Sequence, residues 1–157
     1  PMTRCSQLLF PLRAVRGAES LWSWTKVPSD RIVVTVPPVL VNIVNIRASQ
    51  INGCAVCLEG HLREARNLDA ADERLMLIAA WRETPNFTPA ERAALALAEA
   101  TTRLADRTDA VPDDVWNEAA KHFDEQQLAA LVLQIASINV WNRLNVATAQ
   151  QAGVHVW

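Results

Sequence analysis

Apolar residues recur along most of this chain at the spacing of an α-helix. Between residues 37 and 149 the pattern divides into six segments, in which apolar side chains return three and four positions apart. We predict helices at about residues 38–53, 54–67, 69–81, 89–104, 112–123 and 125–149. The pattern therefore predicts an all-α fold, a compact arrangement of about six helices.

The predicted helix ends coincide with residues that cap or break helices. Gly53 suits the left-handed position that closes a helix. Thr88–Glu91 and Asp124–Gln127 each have the spacing of a capping box, in which two side chains bond the first turn reciprocally. Pro112 stands directly before two acidic residues, which favour the positive end of a helix. These signals support the boundaries that the apolar pattern predicts.

The last predicted helix differs from the others because it is apolar nearly all round between Leu128 and Val140. Such a helix belongs in the centre of a core or in a subunit interface. The chain also has six tryptophans, which we interpret as core and interface anchors. We therefore expect a homo-oligomer.

The two ends of the chain have weaker patterns. Residues 1–36 have no clear helical period, and Arg31–Val36 is β-branched and is typical of a strand. Residues 150–157 look like a tail. We find no repeat or linker, so we predict a single domain over residues 1–157, with a divergent segment at 1–36 and a helical core at 37–149.

Composition narrows the class of protein. Half of the 157 residues are hydrophobic, 20% are charged and only 4 are glycine, which argues against disorder. The formal net charge of -2 indicates no broad basic surface for nucleic acid. No apolar run approaches the ~20 residues of a membrane span. Pro1–Phe10 lacks a signal-peptide core, so we expect a cytoplasmic protein without a nucleic-acid or membrane partner.

The candidate chemistry lies in Ser49–Arg66, which holds Cys54, Cys57 and His61. On a helix these three residues share one face, because they are three and four positions apart. A cysteine at a helix N-terminus is stabilised as a thiolate by unpaired backbone N–H groups. The imidazole one turn later can carry a proton. The spacing predicts a redox-active thiol pair.

Two other interpretations of the cysteine pair are open at this point. The sulfurs could be small buried apolar groups, or they could bind zinc. A zinc site needs four ligands, and the pair with His61 supplies three. The fourth would have to come from Cys5, His122 or His155, none of which has motif spacing.

Several blocks of the sequence resemble one family. The motif Cys-x-x-Cys-x-x-x-His follows Ile51–Gly53, and Ala80–Glu83, Phe87–Leu95 and Ile138–Leu144 follow in order. Together they resemble the alkyl hydroperoxidase D-like (AhpD-like) proteins of the carboxymuconolactone decarboxylase superfamily, over about residues 43–145. The resemblance implies an all-helical oligomer with thiol peroxidase or disulfide-exchange activity.

The resemblance also implies roles for individual residues. Cys57 would react with the peroxide, Cys54 would be its partner, and His61 would relay protons. The family places a glutamate twelve residues before the first cysteine, and Asn42 stands there in this chain. An amide hydrogen-bonds but does not exchange a proton near neutral pH. Glu64 shares the His61 face and could replace the glutamate, or it could be a solvated surface charge.

The sequence also predicts structural roles for Trp81, Trp141 and Arg143. Trp81 and Trp141 lie within the matching blocks, and we expect both to pack near the site. Arg143 is expected to pair with a buried acid such as Glu91 rather than to bind substrate. The first two expectations concern packing alone.

The sequence and the resemblance together favour a thiol-dependent peroxidase. Its partners would be a hydroperoxide substrate and a thiol reductant, either a protein or a small thiol. No metal, flavin or haem is implied. One alternative is a decarboxylase-type enzyme from the other branch of the superfamily, although its chemistry does not need two cysteines. Another is a redox-sensitive helical oligomer without catalytic activity, which the Asn42 substitution favours.

Overall fold

A computed structural model describes residues 36–153 of the chain, and that range contains six α-helices and no strand. The all-α fold is therefore confirmed. The helices are α1 (Pro38–Asn52), α2 (Ala55–Asn67), α3 (Asp72–Met76), α4 (Pro89–Thr102), α5 (Asp113–His122) and α6 (Glu125–Ala147). Two 3-10 helices, Leu77–Glu83 and Leu104–Asp106, follow α3 and α4.

Several predictions fall outside the described residues. The strand at Arg31–Val36 does so except for Val36, which is a buried bend residue. The divergent segment at 1–36 is likewise almost entirely outside, as are Cys5 and His155. The single domain, the homo-oligomer and the cytoplasmic location stay predictions.

α1 and α2 form an antiparallel pair joined by a tight turn. α1 begins with proline in its first turn and ends at Gly53, whose φ of 67° is left-handed. The N–H groups of Gly53 and Cys54 both point to the Ser49 carbonyl, the second at 3.0 Å. The chain thereby reverses within two residues, so that α2 runs back along α1.

Two apolar clusters on either side of α1 form most of the core. One joins α1 to α4, α5 and α6 through Leu40, Val44, Leu97 and Leu131. The other joins α1 to α2, α4 and the segment after α2 through residues such as Ile43, Ile46, Leu75, Ile78, Trp81 and Leu95. α1 is buried on both sides, which explains why its sequence is apolar over most of its surface.

The prediction of the third helix as one continuous α-helix is wrong. We expected one α-helix over Asp69–Trp81, but α3 has only five residues and continues as a 3-10 helix to Glu83. Asp69 has a left-handed φ of 59°, which delays the start. The Arg92 guanidinium donates to the carbonyl oxygens of Trp81, Arg82 and Thr84, each at 2.9 Å. Ala80 has non-helical backbone angles, with φ of -116° and ψ of 29°, so no α-helix continues through this segment, and the Arg92 bonds hold the chain where it leaves the 3-10 helix.

Glu99 on α4 connects three parts of the core. Its carboxylate accepts hydrogen bonds from Arg47 at 2.7 Å, from Arg82 at 2.6 Å and from the Trp81 indole at 3.0 Å. Burial alone raises the pKa of Glu99, but these donors outweigh it and lower the pKa below its ordinary value of 4.5. The side chain is buried, so the carboxylate stays charged only because it is fully paired.

The last helix buries only one face in the subunit, although its composition predicts burial all round, and Leu133 and Val140 on its other face are 48% and 43% exposed. α6 lies against α1 and α4 and also touches α2 and α5. It ends at Ala147, slightly before the predicted Ala149, which has a left-handed φ of 54°. Both predicted capping boxes, at Thr88–Glu91 and Asp124–Gln127, are confirmed. None of the helices between residues 36 and 153 is long and apolar enough to cross a membrane.

Replacing Gly53 tests the turn between α1 and α2. A β-carbon at Gly53 would meet no heavy atom within 4 Å, so only its left-handed φ opposes substitution. We expect Gly53→Ala to lower the free energy of unfolding by about 1 kcal/mol, measured by urea denaturation. Gly53→Asn is the control, because asparagine tolerates this conformation better. Equal losses in the two variants would contradict the argument.

Replacing Glu99 tests the buried ion cluster. We expect Glu99→Gln to lower the free energy of unfolding by about 3 kcal/mol, since it leaves Arg47 without its carboxylate partner. Glu118→Gln is the control, because Glu118 pairs with Lys121 and His122 on an exposed face of α5. That variant should unfold nearly like the wild type.

The wild type and Glu99→Gln should also differ in how their stability responds to acid. The pKa of Glu99 is lower in the folded than in the unfolded protein, so its stabilising effect is complete above about pH 4.5 and is lost as the pH falls through the folded value. Wild-type stability should therefore fall more steeply than that of Glu99→Gln below pH 4.5. An equal loss of stability in both proteins as the pH falls would contradict a charged Glu99 in the folded state.

Candidate active site

Cys54 and Cys57 are joined by a disulfide at the start of α2. Their Cα atoms are 5.5 Å apart, and Cys54 is the N-cap residue of the helix. The Cys54 sulfur accepts the backbone N–H of Cys57 at 3.4 Å. The first cysteine thus takes the capping role that a serine or aspartate often has, and its sulfur lies at the positive end of the helix.

The disulfide is buried against α1 and α6. Cys54 is 2% exposed and Cys57 is 4% exposed, and both pack with Ile138 and Trp141 of α6. The Asn145 side-chain amide, also on α6, donates to the Cys57 sulfur at 3.3 Å. Among residues 36–153, one hydrogen-bond donor reaches each sulfur, and the two donors come from different helices.

His61 meets Asn42 across the α1–α2 pair. The Asn42 side chain donates to the Pro38 carbonyl at 3.2 Å, which turns its oxygen toward His61 Nδ1 at 3.0 Å. An amide oxygen only accepts hydrogen bonds, so Nδ1 must carry the ring proton. In the neutral ring Nε2 therefore keeps a free lone pair and is the basic nitrogen.

Glu64 adds a charge to the same imidazole nitrogen. Its carboxylate lies 3.3 Å from His61 Nδ1, and this hydrogen bond lowers the pKa of Glu64 below its ordinary value of 4.5. The side chain is mostly exposed. Glu64 is therefore a solvated surface charge that also contacts His61, and its replacement of the family glutamate stays a prediction.

A cavity of about 500 Å³ lies beside this imidazole. Asn42, His61 and Glu64 form part of its polar wall. Ile138 and Trp141 also line the cavity, and both pack in the apolar cluster that contains the two cysteines. Among residues 36–153, neither cysteine lines the cavity. The side chains of Ile138 and Trp141 therefore separate the disulfide from the cavity.

A network of buried amides fixes α6 relative to α1 near the site. The Asn52 side chain donates to Asn139 at 2.9 Å and to Asn142 at 2.8 Å. Asn142 in turn donates to the Ser49 hydroxyl at 3.1 Å. These bonds hold the stretch of α6 that faces the disulfide.

The expected pairing of Arg143 with Glu91 is wrong. Arg143 donates to the backbone and side-chain oxygens of Asn139 one turn earlier, both at 3.0 Å. Glu91 pairs with Arg74 and closes its own capping box. Helix geometry explains the difference, because residues four apart on α6 are neighbours.

The structure brings the four sequence-predicted site residues together as two pairs. Cys54 is bonded to Cys57, and His61 contacts Asn42. The hydrogen bonds of His61 within residues 36–153 lead to Asn42 and Glu64 rather than to a sulfur. Across that same range, no cluster of three or more His, Cys, Asp or Glu side chains is arranged to hold a metal ion.

The sequence patterns did not predict the contact between Asn145 and Cys57. Asn145 reaches the Cys57 sulfur, and its only sequence signal is its position four residues after Trp141, on the same face of α6. Trp141 packs against the disulfide as expected. Trp81 lies instead in the cluster around Ile43 and Ile46.

Comparison with known proteins places the chain in a family. The model of the carboxymuconolactone decarboxylase family matches residues 19–100. The uncharacterized protein YdfG of Bacillus subtilis is 38% identical over 110 residues, which are 70% of this chain and 74% of YdfG.

Solved structures agree with that match. ATU0492 from Agrobacterium tumefaciens, a protein of unknown function described as an AhpD-type antioxidant defence protein, superposes with a TM-score of 0.80 at 30% identity. The match covers 92% of this chain and 96% of ATU0492. An uncharacterized peroxidase-related protein from Silicibacter sp. TM1040 shares the fold, with a TM-score of 0.72 at 20% identity over 87% of this chain and 72% of that one. The chain therefore belongs to the carboxymuconolactone decarboxylase family and is one of its AhpD-like members.

Proposed function

We propose that this protein is a thiol-dependent peroxidase that reduces hydroperoxides through the Cys54–Cys57 pair. The observation that carries the proposal is the disulfide itself, which joins two cysteines at the N-terminus of the same helix that carries His61. A disulfide of this kind is the oxidised end of a thiol cycle. Membership of a family with AhpD-like proteins supports the same conclusion.

In the first step the Cys57 thiolate attacks the terminal oxygen of a hydroperoxide. A sulfur–oxygen bond forms, the oxygen–oxygen bond breaks, and the organic part leaves as an alkoxide. Cys57 is then a sulfenic acid, oxidised by two electrons, and the peroxide has been reduced by the same two. The alkoxide takes a proton and leaves as an alcohol.

In the second step the Cys54 thiol attacks the sulfenic sulfur. The new sulfur–sulfur bond replaces the sulfur–oxygen bond, and hydroxide leaves with the Cys54 proton as water. An external dithiol, or two molecules of a small thiol, then returns two electrons and restores both thiols. The disulfide of the structure corresponds to the state before this reduction.

His61 would move the protons in this cycle. With Nδ1 bound to Asn42, Nε2 is free to take the Cys57 proton and later to give it to the alkoxide. Asn42 then acts as a positioning residue, since it fixes the tautomer but cannot exchange a proton. Glu64 supplies the nearby negative charge that stabilises the protonated imidazole.

Removing each cysteine separates the two steps. We expect Cys57→Ser to lower peroxide consumption roughly 100-fold or more, because the nucleophile is lost. Cys54→Ser should still consume about one peroxide per subunit and then stop. Stopped-flow measurement with cumene hydroperoxide and a thiol reductant distinguishes these outcomes. Cys5→Ser is the control for an unrelated thiol, and unchanged turnover in Cys57→Ser would rule out the mechanism.

Replacing Asn42 tests whether the missing carboxylate limits the rate. We expect Asn42→Glu to raise kcat/KM for hydroperoxide about tenfold, because a carboxylate beside His61 can both accept a proton and stabilise the imidazolium. Asn42→Leu is the matched control of similar size, and it should lower the rate because Nδ1 loses its partner. A rate in Asn42→Glu no higher than in the wild type would show that the amide does not limit the cycle.

A further inference from the structure

The two sulfurs of the disulfide have different electrostatic surroundings. Cys54 lies at the N-cap and accepts a backbone N–H of α2, so the helix itself supplies its positive environment. The Cys57 sulfur is contacted from α6 instead. It receives the Nδ2–H of Asn145 at 3.3 Å.

We propose that Asn145 is a catalytic residue that holds the Cys57 sulfur as a thiolate in the reduced enzyme. The inference rests on the proposed peroxidase function, in which Cys57 is the nucleophile. Its basis is the contact between the Asn145 amide and the reacting sulfur. This amide comes from α6, which lies outside the cysteine motif.

α6 positions this amide accurately. Ile138, Trp141 and Asn145 lie on one face of the helix at spacings of three and four, and the first two pack against the cysteines. The Asn145 carbonyl accepts the N–H of Gln150 at 2.9 Å, which closes the helix end. Gly153 then donates to Glu59 of α2 at 2.7 Å. The segment that follows α6 is thus tied back to the helix that carries Cys57.

Burial makes this donor important. Cys57 is 4% exposed, and a charged group removed from water is disfavoured unless a donor compensates it. Hydrogen bonds to a charged acceptor are stronger than those to a neutral one, so the Asn145 amide favours thiolate over thiol. Because the thiolate is the nucleophile, loss of this donor reduces the reactive fraction of Cys57 near neutral pH.

The test follows Cys57 alone, in a protein that carries Cys5→Ser and Cys54→Ser. Ultraviolet absorbance of the thiolate is recorded against pH in this protein and after adding Asn145→Leu. We expect the midpoint of the thiolate titration to rise by about one pH unit. The rate of alkylation by iodoacetamide at neutral pH should fall by up to about tenfold. An unchanged midpoint would overturn the inference.

Two further variants separate an electrostatic role from a structural one. Asn145→Asp keeps the shape of the side chain, so it serves if the leucine variant does not fold, and its midpoint should also rise. Asp124→Ala removes the N-cap of the same helix at its far end, where the carboxylate accepts the Gln127 N–H and does not contact sulfur. It should lower the thermal unfolding midpoint and leave the thiolate titration unchanged. Equal titration shifts in Asp124→Ala and Asn145→Leu would overturn the inference.

The titration also remains informative if the proposed function fails. Should intact protein consume no hydroperoxide, the peroxidase assignment is wrong, but the midpoint still reports whether Asn145 stabilises the thiolate. Should Cys57→Ser abolish peroxide consumption while Asn145→Leu leaves the midpoint unchanged, the peroxidase assignment stands and the role of Asn145 is refuted.

Discussion

The left-handed turn at Gly53 is the constraint on which the site depends. It ends α1 and starts α2 within two residues, so the two helices must run antiparallel and in contact. Asn42 lies eleven residues before the turn and His61 eight residues after it, and only this reversal brings them to 3.0 Å. The same turn leaves Cys54 as the N-cap. One backbone conformation therefore determines both the sulfur environment and the imidazole environment.

The remaining wall of the site comes from α6, which buried amides as well as apolar side chains hold against α1. Apolar packing fixes the distance between helices but tolerates sliding along their axes. The bonds from Asn52 to Asn139 and Asn142 oppose such sliding, because buried amides must stay paired. Their register decides whether Asn145 reaches the Cys57 sulfur. A site assembled from two separate helices thus needs these interior amides.

Sequence patterns predicted the local features and missed the long-range ones. The two capping boxes, the glycine turn and the thiol pair each depend on residues within about four positions, so spacing alone is sufficient evidence. The Arg92 bonds to the end of the Leu77–Glu83 segment join residues 8 to 11 positions apart, and the Asn145 contact depends on a residue 88 positions from Cys57. No periodicity encodes such pairings. The resemblance to a known family supplied the site residues but could not supply Asn145.

The amide at position 42 changes where negative charge resides. A buried carboxylate there would face the imidazole without solvent screening, whereas Glu64 is mostly exposed and its interaction is weakened by water. Asn42 is 5% exposed, so a charge at that position would also have to overcome desolvation. The present arrangement keeps the histidine tautomer fixed and moves the charge to the cavity edge. The proposed proton transfer at His61 should consequently respond to ionic strength, because the only nearby carboxylate among the described residues is accessible to salt.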